Sequence, residues 1–184
     1  DGDYRSRDGG KTWENLGLKG AQHIARILVH PENSDVVWVA AQGPLWNKGG
    51  ERGVYKTTDG GQTWKRVLGN DEWTGATDLI IDPRDPDLLY AATWARHRPV
   101  AALMGGGPGS GIHKSTDGGE TWERILFVDE DTGCVDLAMD PTNPRVLYAT
   151  TWRVIRTPYS LESGGEGSGL WKSTDGGDNW ASLS

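Results

Sequence analysis

An all-β fold of tandem, four-stranded antiparallel units is what the sequence predicts, and three observations predict it. The first is composition: 27 Gly, 9 Pro and 10 Trp beside a single Phe do not suit helices, which Gly and Pro interrupt, whereas aromatic side chains favour strands. The second is an eight-residue segment that recurs four times, with aspartates at 8, 59, 117 and 175, spaced by 51, 58 and 58 residues. The third is what flanks each copy: short alternating apolar runs bounded by turn residues, the pattern of hairpins.

The four segments are Ser6-Arg7-Asp8-Gly9-Gly10-Lys11-Thr12-Trp13, Thr57-Thr58-Asp59-Gly60-Gly61-Gln62-Thr63-Trp64, Ser115-Thr116-Asp117-Gly118-Gly119-Glu120-Thr121-Trp122 and Ser173-Thr174-Asp175-Gly176-Gly177-Asp178-Asn179-Trp180. In each, the Asp carboxylate can accept backbone N–H bonds across a turn, and Gly-Gly allows the positive φ of a tight hairpin. The hydroxyl at the first position braces the Asp, and the Trp covers the hairpin base. The fourth copy departs at Asn179, where the others have Thr.

Taken in order, residues 4–6 and 11–16 read as the last two strands of a first unit. The second unit has runs at 24–29 and 36–42 joined by His30-Pro31, then 53–56 and 64–68 around its Asp segment. The third has 78–81 and 88–94 joined by Asp82-Pro83-Arg84-Asp85-Pro86, and the fourth has 136–139 and 146–152 joined by Asp140-Pro141-Thr142-Asn143-Pro144. Fourteen strands are expected, in units at 1–20 (half), 21–70, 71–128 and 129–184. Four-stranded units of this size in tandem are the signature of β-propeller blades, about three and a half of them here. A closed ring needs at least about four blades, so the expectation is open edges, completed by further blades of a longer chain or by a homodimer. Two copies do not fit simply, because both half-blades would bring strands three and four.

The boxes resemble BNR or Asp-box repeats, and nearly the whole chain resembles the sortilin-like repeat region of large secreted bacterial propeller proteins. That resemblance implies ligand binding and an extracellular or periplasmic setting. The charge balance, 19 basic against 26 acidic side chains for a net −7, argues against nucleic acid as a partner, since phosphate binding needs a basic surface. Apolar runs such as 36–41 fall far short of the roughly 18 to 20 residues of a membrane helix, so no membrane span is expected. The chain begins at Asp1 without a basic or apolar leader, so it reads as a mature form or an excerpt. One cysteine, Cys134, permits no internal disulfide and reads as a small core side chain.

In such blades the Asp boxes and Asp-Pro turns share one face, and ligand sites are expected on the other, where long loops emerge from a rigid scaffold. These loops are 43–52, 95–110 and 153–168, and they carry Trp46, Arg96, His97, Arg98, Arg153, Arg156, Tyr159 and Glu162. Arg98 and Arg156 occupy equivalent places, as do Trp94 and Trp152, and repetition favours packing or blade-to-blade pairing. Trp46 and Trp73 are unrepeated and suit stacking on a sugar ring or a peptide side chain, with buried packing as the alternative. Between blades lie Asn70-Asp71-Glu72-Trp73-Thr74-Gly75 and Asp129-Glu130-Asp131-Thr132-Gly133, acidic turns that could hold calcium but read more simply as solvated turns. Asp78 and Asp136 open the innermost strands, with Arg26 in the matching place, so these three are expected to line the central channel. The Gly-rich runs at 105–111 and 164–169 lead into strands, so neither is a phosphate cradle, which needs a helix after it. His23, His30, His97 and His113 lack metal-ligand spacing, and no triad signature appears. No cofactor, metal site or catalytic residue is predicted.

The leading functional expectation is a non-catalytic module that binds a protein, peptide or glycan through the loop face, using Trp46, Trp73, Arg96, Arg98, Arg153, Arg156, Tyr159, Arg26, Asp78 and Asp136. The alternative is a glycoside hydrolase, because sialidases and xyloglucanases also carry Asp boxes on propellers. A sialidase would need three clustered arginines and a Tyr paired with Glu, for which Arg98, Arg153, Arg156, Tyr159 and Glu162 are at hand, but the early Arg-Ile-Pro element of sialidases is absent. An inverting enzyme would need two carboxylates roughly 6.5 to 9.5 Å apart, and Asp78 with Asp136 is the pair to examine. A third possibility resembles the photosystem II assembly factors, an architectural propeller using Arg96, Arg98, Arg153 and Arg156 to hold a protein partner.

Overall fold

The computed structural model describes residues 2–69 and 71–183; Asn70, which ends the second expected unit, lies outside the described residues. The described chain is all-β apart from a single 3-10 turn at Lys19–Ala21. It opens with a hairpin of β1 (Asp3–Arg5) and β2 (Glu14–Gly17). The next sheet runs β3 (Ile24–Val29), β4 (Val37–Ala41), β5 (Gly53–Thr57) and β6 (Lys65–Leu68), each strand antiparallel to the one before. Then come β7 (Thr74–Asp82), β8 (Asp85–His97), the short β9 (Leu103–Gly105), β10 (Gly111–Ser115) and β11 (Glu123–Leu126). The chain ends on β12 (Thr132–Met139), β13 (Leu147–Arg156), the short β14 (Leu161–Ser163), β15 (Gly169–Ser173) and β16 (Ala181–Ser182). The order β7-β8-β10-β11 and then β12-β13-β15-β16 repeats that of β3 to β6. These are β-propeller blades, packed face to face in an arc.

The Asp boxes build the outer hairpins as their chemistry dictates. Asp59 Oδ1 accepts from Thr57 Oγ1 at 2.7 Å and from Thr63 N at 2.9 Å, while Oδ2 accepts from Thr63 Oγ1 at 2.6 Å. Gly60 and Gly61 sit at φ 70° and 91°, conformations that cost glycine least. At the fourth box Asn179 Nδ2 takes the place of the threonine hydroxyl, donating to Asp175 Oδ2 at 2.8 Å. The amides of Gly60, Gly118 and Gly176 bond to the carbonyls of Asp35, Asp87 and Arg145, in or just after the turns between strands one and two, so boxes and turns share one face.

Blades adhere through apolar clusters that straddle each junction. Trp38, Ala40 and Val54 pack on Leu79, Leu89 and Ala91 of the next blade, and Tyr90, Ala92 and Ile112 repeat the contact on Leu137, Leu147 and Ala149. Fully burying one such leucine is worth about 1.5–3 kcal/mol. Cys134 belongs to the second cluster, and burial pushes its thiol up to about 12. No helix among the described residues is long and apolar enough to cross a membrane.

Three expectations are corrected. Residues 11–13 are not strand: the Lys11 and Thr12 amides bond to Asp8 Oδ1, which holds them in the turn until Glu14. Asp78 and Asp136 do not open their strands, because β7 starts at Thr74 and β12 at Thr132, with a bulge just before each Asp. There are sixteen strands among the described residues rather than fourteen, because parts of the loops 95–110 and 153–168 form β9 and β14.

Candidate functional site

The loop face is built on strands that overrun their blades. In β8 the pairing with β10 ends at Thr93↔Gly111, yet the strand continues to His97 and pairs Arg96 with Gly105 and His97 with Met104 of β9. The other edge of β9 pairs with β13, Gly105 against Val154 and Met104 against Ile155, and β14 lies on the same overhang of β13. This small secondary sheet ties the third blade to the fourth. Trp94 is buried beneath it, its ring 5.6 Å from Trp152 and 5.5 Å from the Arg96 guanidinium. Gly105 and Gly133 lie so close to that indole that a Cβ at either would collide with it.

Beside this sheet lies an open cleft of about 420 Å³. Trp73, His97, Met104 and Ile155 wall it, and the carboxylates of Glu130 and Asp131 stand at its edge. The Trp73 and His97 rings are 4.0 Å apart and tilted by 46°. The turn that presents Trp73 is fixed by Asp71, whose Oδ1 accepts from the Trp73 and Thr74 amides at 2.7 Å each and whose Oδ2 accepts from Thr74 Oγ1 at 2.6 Å. Burial pushes the Asp71 carboxyl up, but these hydrogen bonds outweigh it and hold the group below its ordinary range.

Trp46, half exposed, sits on the neighbouring loop 43–52 with the Arg98 guanidinium 4.4 Å over its ring. That loop is organised by Arg52, a residue that sequence reasoning missed. Its side chain is buried and donates to five backbone carbonyls: Gly49 at 2.9 Å, Gln42 at 2.6 Å, Trp73 at 3.4 Å, Pro44 at 2.5 Å and Asn47 at 2.7 Å. The carbonyl shell replaces water around the cation, and the bond to Trp73 fastens the Trp46 loop to the cleft. Gly49 N to Glu72 O at 2.8 Å and Lys48 to Glu72 at 3.1 Å close the same seam.

On the inner strands, Arg26 Nε donates to Asp78 Oδ1 at 2.8 Å, and the Leu79 amide donates to the same oxygen. Asp78 Oδ2 accepts from the Leu137 amide across the blade junction at 3.1 Å. Hydrogen bonding to Asp78, with burial and the Asp78 charge, pushes the Asp136 carboxyl up. The three residues therefore form one chain across three blades.

The loop-face arginines Arg96, Arg98 and Arg153 are each engaged by other groups. Arg98 stacks on Trp46, Arg96 donates to Gln42 Oε1 at 3.2 Å, and Arg153 lies 3.8 Å from Asp131 and 3.7 Å from Glu162. Arg156 is exposed at the end of β13, and Tyr159, 97% exposed, projects from the turn beyond it. Asp129 and Asp71 serve as turn acceptors for the Asp131 and Trp73 amides.

Comparison with known proteins places this geometry among relatives. The chain is 30% identical to the xyloglucanase Xgh74A of Acetivibrio thermocellus, covering 93% of this chain and 19% of that one. It is 28% identical to the photosystem II assembly lipoprotein Ycf48 of Trichormus variabilis, over 69% of this chain and 43% of that protein. The chain thus spans about a fifth of the length of the xyloglucanases it matches. Among solved structures, the GH74 xyloglucanase of Xanthomonas campestris superposes with a TM-score of 0.69 at 21% identity, covering all of this chain and 27% of that one. An ancestral GH74 enzyme gives 0.70 at 20% identity, over all of this chain and 21% of its own. Residues 113–124 match the BNR/Asp-box repeat. Residues 3–101, more than half of the chain, match the family described as sortilin, neurotensin receptor 3, and the chain belongs to that sortilin-Vps10 family.

Proposed function

We propose that this chain is a non-catalytic part of a β-propeller that binds a glycan chain through its loop face, in an extracellular or periplasmic setting. Residues 1–20 are taken as half a blade and 21–70, 71–128 and 129–184 as three more, continued by further blades of a longer chain. The observation that carries the reading is the cleft beside Trp73 and His97. An indole wall suits the C–H face of a sugar ring, and the carboxylates of Glu130 and Asp131 suit its hydroxyls as acceptors. Trp46, braced by Arg98, offers a second exposed platform. Likeness to xyloglucanases favours a neutral polysaccharide over a peptide, and the engagement of Arg96, Arg98 and Arg153 by other groups weakens the reading of an arginine-held protein partner.

The test is calorimetric titration of the protein with xyloglucan and cello-oligosaccharides, beside an unrelated peptide control. Trp73→Ala is expected to weaken glycan binding about tenfold or more, the loss of one stacked ring in a desolvated site. Binding that survives both Trp73→Ala and Trp46→Ala unchanged refutes the site, and hydrolysis of the glycan refutes the non-catalytic reading.

A further inference from the structure

The secondary sheet of β8, β9, β13 and β14 has two faces with different fates. Pairing sets side chains in rows across the strands, and alternation sends neighbouring rows to opposite faces. One row is Arg96, Gly105, Val154 and Ser163, and packing consumes it. The Arg96 guanidinium and Gly105 lie on Trp94, Val154 is 2% exposed, and Ser163 Oγ accepts from Trp152 Nε1 at 3.1 Å. The next row is His97, Met104, Ile155 and Glu162, and it faces the other way. His97, Met104 and Ile155 wall the cleft, Met104 is 46% exposed, and Glu162 stands exposed at the far end. Arg153, on the same side of β13 as Ile155, lies 3.8 Å from Asp131 at the cleft edge and 3.7 Å from Glu162, so cleft and row form one surface. The cleft beside Trp73 is thus one end of a track that crosses all four strands, about 14 Å long at roughly 4.8 Å per interval.

We propose that a glycan lies along this track, perpendicular to the strands and with one sugar residue over each, so that Met104, Ile155 and Glu162 are its successive contacts beyond Trp73 and His97. This rests on the reading of the cleft as a glycan site. In an extended β-1,4-linked chain each pyranose advances by nearly the distance between neighbouring strands, so a straight chain keeps step with the row, whereas a coiled α-1,4-linked chain soon leaves it. The side chains are graded along the row. The rings of Trp73 and His97 offer stacking on C–H faces at one end, and Met104 with Ile155 gives an adaptable apolar floor in the middle. At the far end the Glu162 carboxylate, with two oxygens and one contact to Arg153, keeps acceptor capacity for sugar hydroxyls.

The test is the dependence of affinity on chain length, measured by calorimetry with cello-oligosaccharides from cellobiose to cellohexaose and with malto-oligosaccharides of the same lengths. Affinity is expected to rise about fivefold with each added glucose, the worth of one hydrogen bond. The rise should level off once about four residues cover the four strands, and the malto series should stay flat. Glu162→Ala is expected to end the rise one residue earlier, and Glu162→Gln, which still accepts from a hydroxyl, to restore it. An affinity already complete with cellobiose, a malto series that climbs equally, or a Glu162→Ala protein with unaltered length dependence overturns the track while leaving a glycan site at Trp73 in place. Absence of binding at every length refutes the glycan reading, and this inference falls with it.

Discussion

Replacing Arg52 with Lys tests whether the loop face is held by one buried cation. The guanidinium directs N–H groups at five carbonyls of residues 42, 44, 47, 49 and 73, and an ammonium has three N–H groups. At least two carbonyls therefore lose their partner. A buried polar group left unpaired costs about 1–3 kcal/mol, so two of them put the loss in global stability at about 2–6 kcal/mol; Arg52→Met, which orphans all five, costs more. The ceiling is the point at which the loop peels away and water satisfies the carbonyls. That peeling is itself diagnostic, because it frees the Gly49 amide from Glu72 O and loosens the turn of Trp73. Urea unfolding gives the stability change, and hydrogen exchange across 43–52 and 71–75 gives its location. If Arg52→Lys costs less than about 0.5 kcal/mol, the ordinary size of a neutral surface change, and exchange is unaltered, the carbonyl shell does not hold these loops together.

Asp136→Asn should flatten the dependence of stability on pH just above the ordinary carboxyl range. In the unsubstituted protein the carboxyl of Asp136 is pushed up by its bond to Asp78, so its stabilising contribution is present at low pH and is lost as pH rises through the raised value. The amide keeps a donor for Asp78 and has no proton to lose; melting temperatures measured upward from the free carboxyl value of about 3.9 decide the point, and an unchanged slope contradicts it. The box aspartates behave oppositely. Asp8, Asp59 and Asp175 are pulled down to about 2, chiefly by hydrogen bonds from the residue four positions on. Their contribution is complete above the unfolded value of about 3.9 and is lost as pH falls towards about 2. Near-ultraviolet circular dichroism should report loss of the Trp signals in that window, with Asp59→Asn less sensitive to acid; equal sensitivity counts against the boxes as the acid-labile element.

The hairpins were legible because their turn chemistry is local: Asp, two glycines and a hydroxyl within eight residues specify a geometry without help from the rest of the chain. The placement of Arg26, Asp78 and Asp136 on successive inner strands was legible from spacing. The ion pair of Arg26 with Asp78 and the bond from the Leu137 amide to Asp78 were not, since they depend on blade-to-blade distance. Arg52 left no trace in the pattern, because its partners are backbone carbonyls and any sequence supplies those; the nearest signal is Gly43, where a Cβ would run into the Arg52 side chain. The strands β9 and β14 are three residues long and flanked by glycine. Leu103 and Leu161 nonetheless stand 58 residues apart, so the repeat itself carried the signal that hydropathy alone did not.

That repeat also separates architecture from recognition. Positions that keep their residue type across blades are consumed by packing: Trp94 with Trp152 under the secondary sheet, and Trp38 and Tyr90 at the blade junctions. The cleft is made from equivalent positions whose residues differ. Trp73 and Asp131 are 58 residues apart, as are His97 and Ile155, and all four line the cleft. Two successive blades thus offer the same pair of backbone positions, one furnished with aromatic rings and the other with an acid and an aliphatic side chain. A site of that kind needs no departure from the blade scaffold, because the junction brings the positions together wherever it occurs. Divergence at these four side chains is what the proposed glycan site rests on, and that proposal confines the ligand to the junction where the residues diverge.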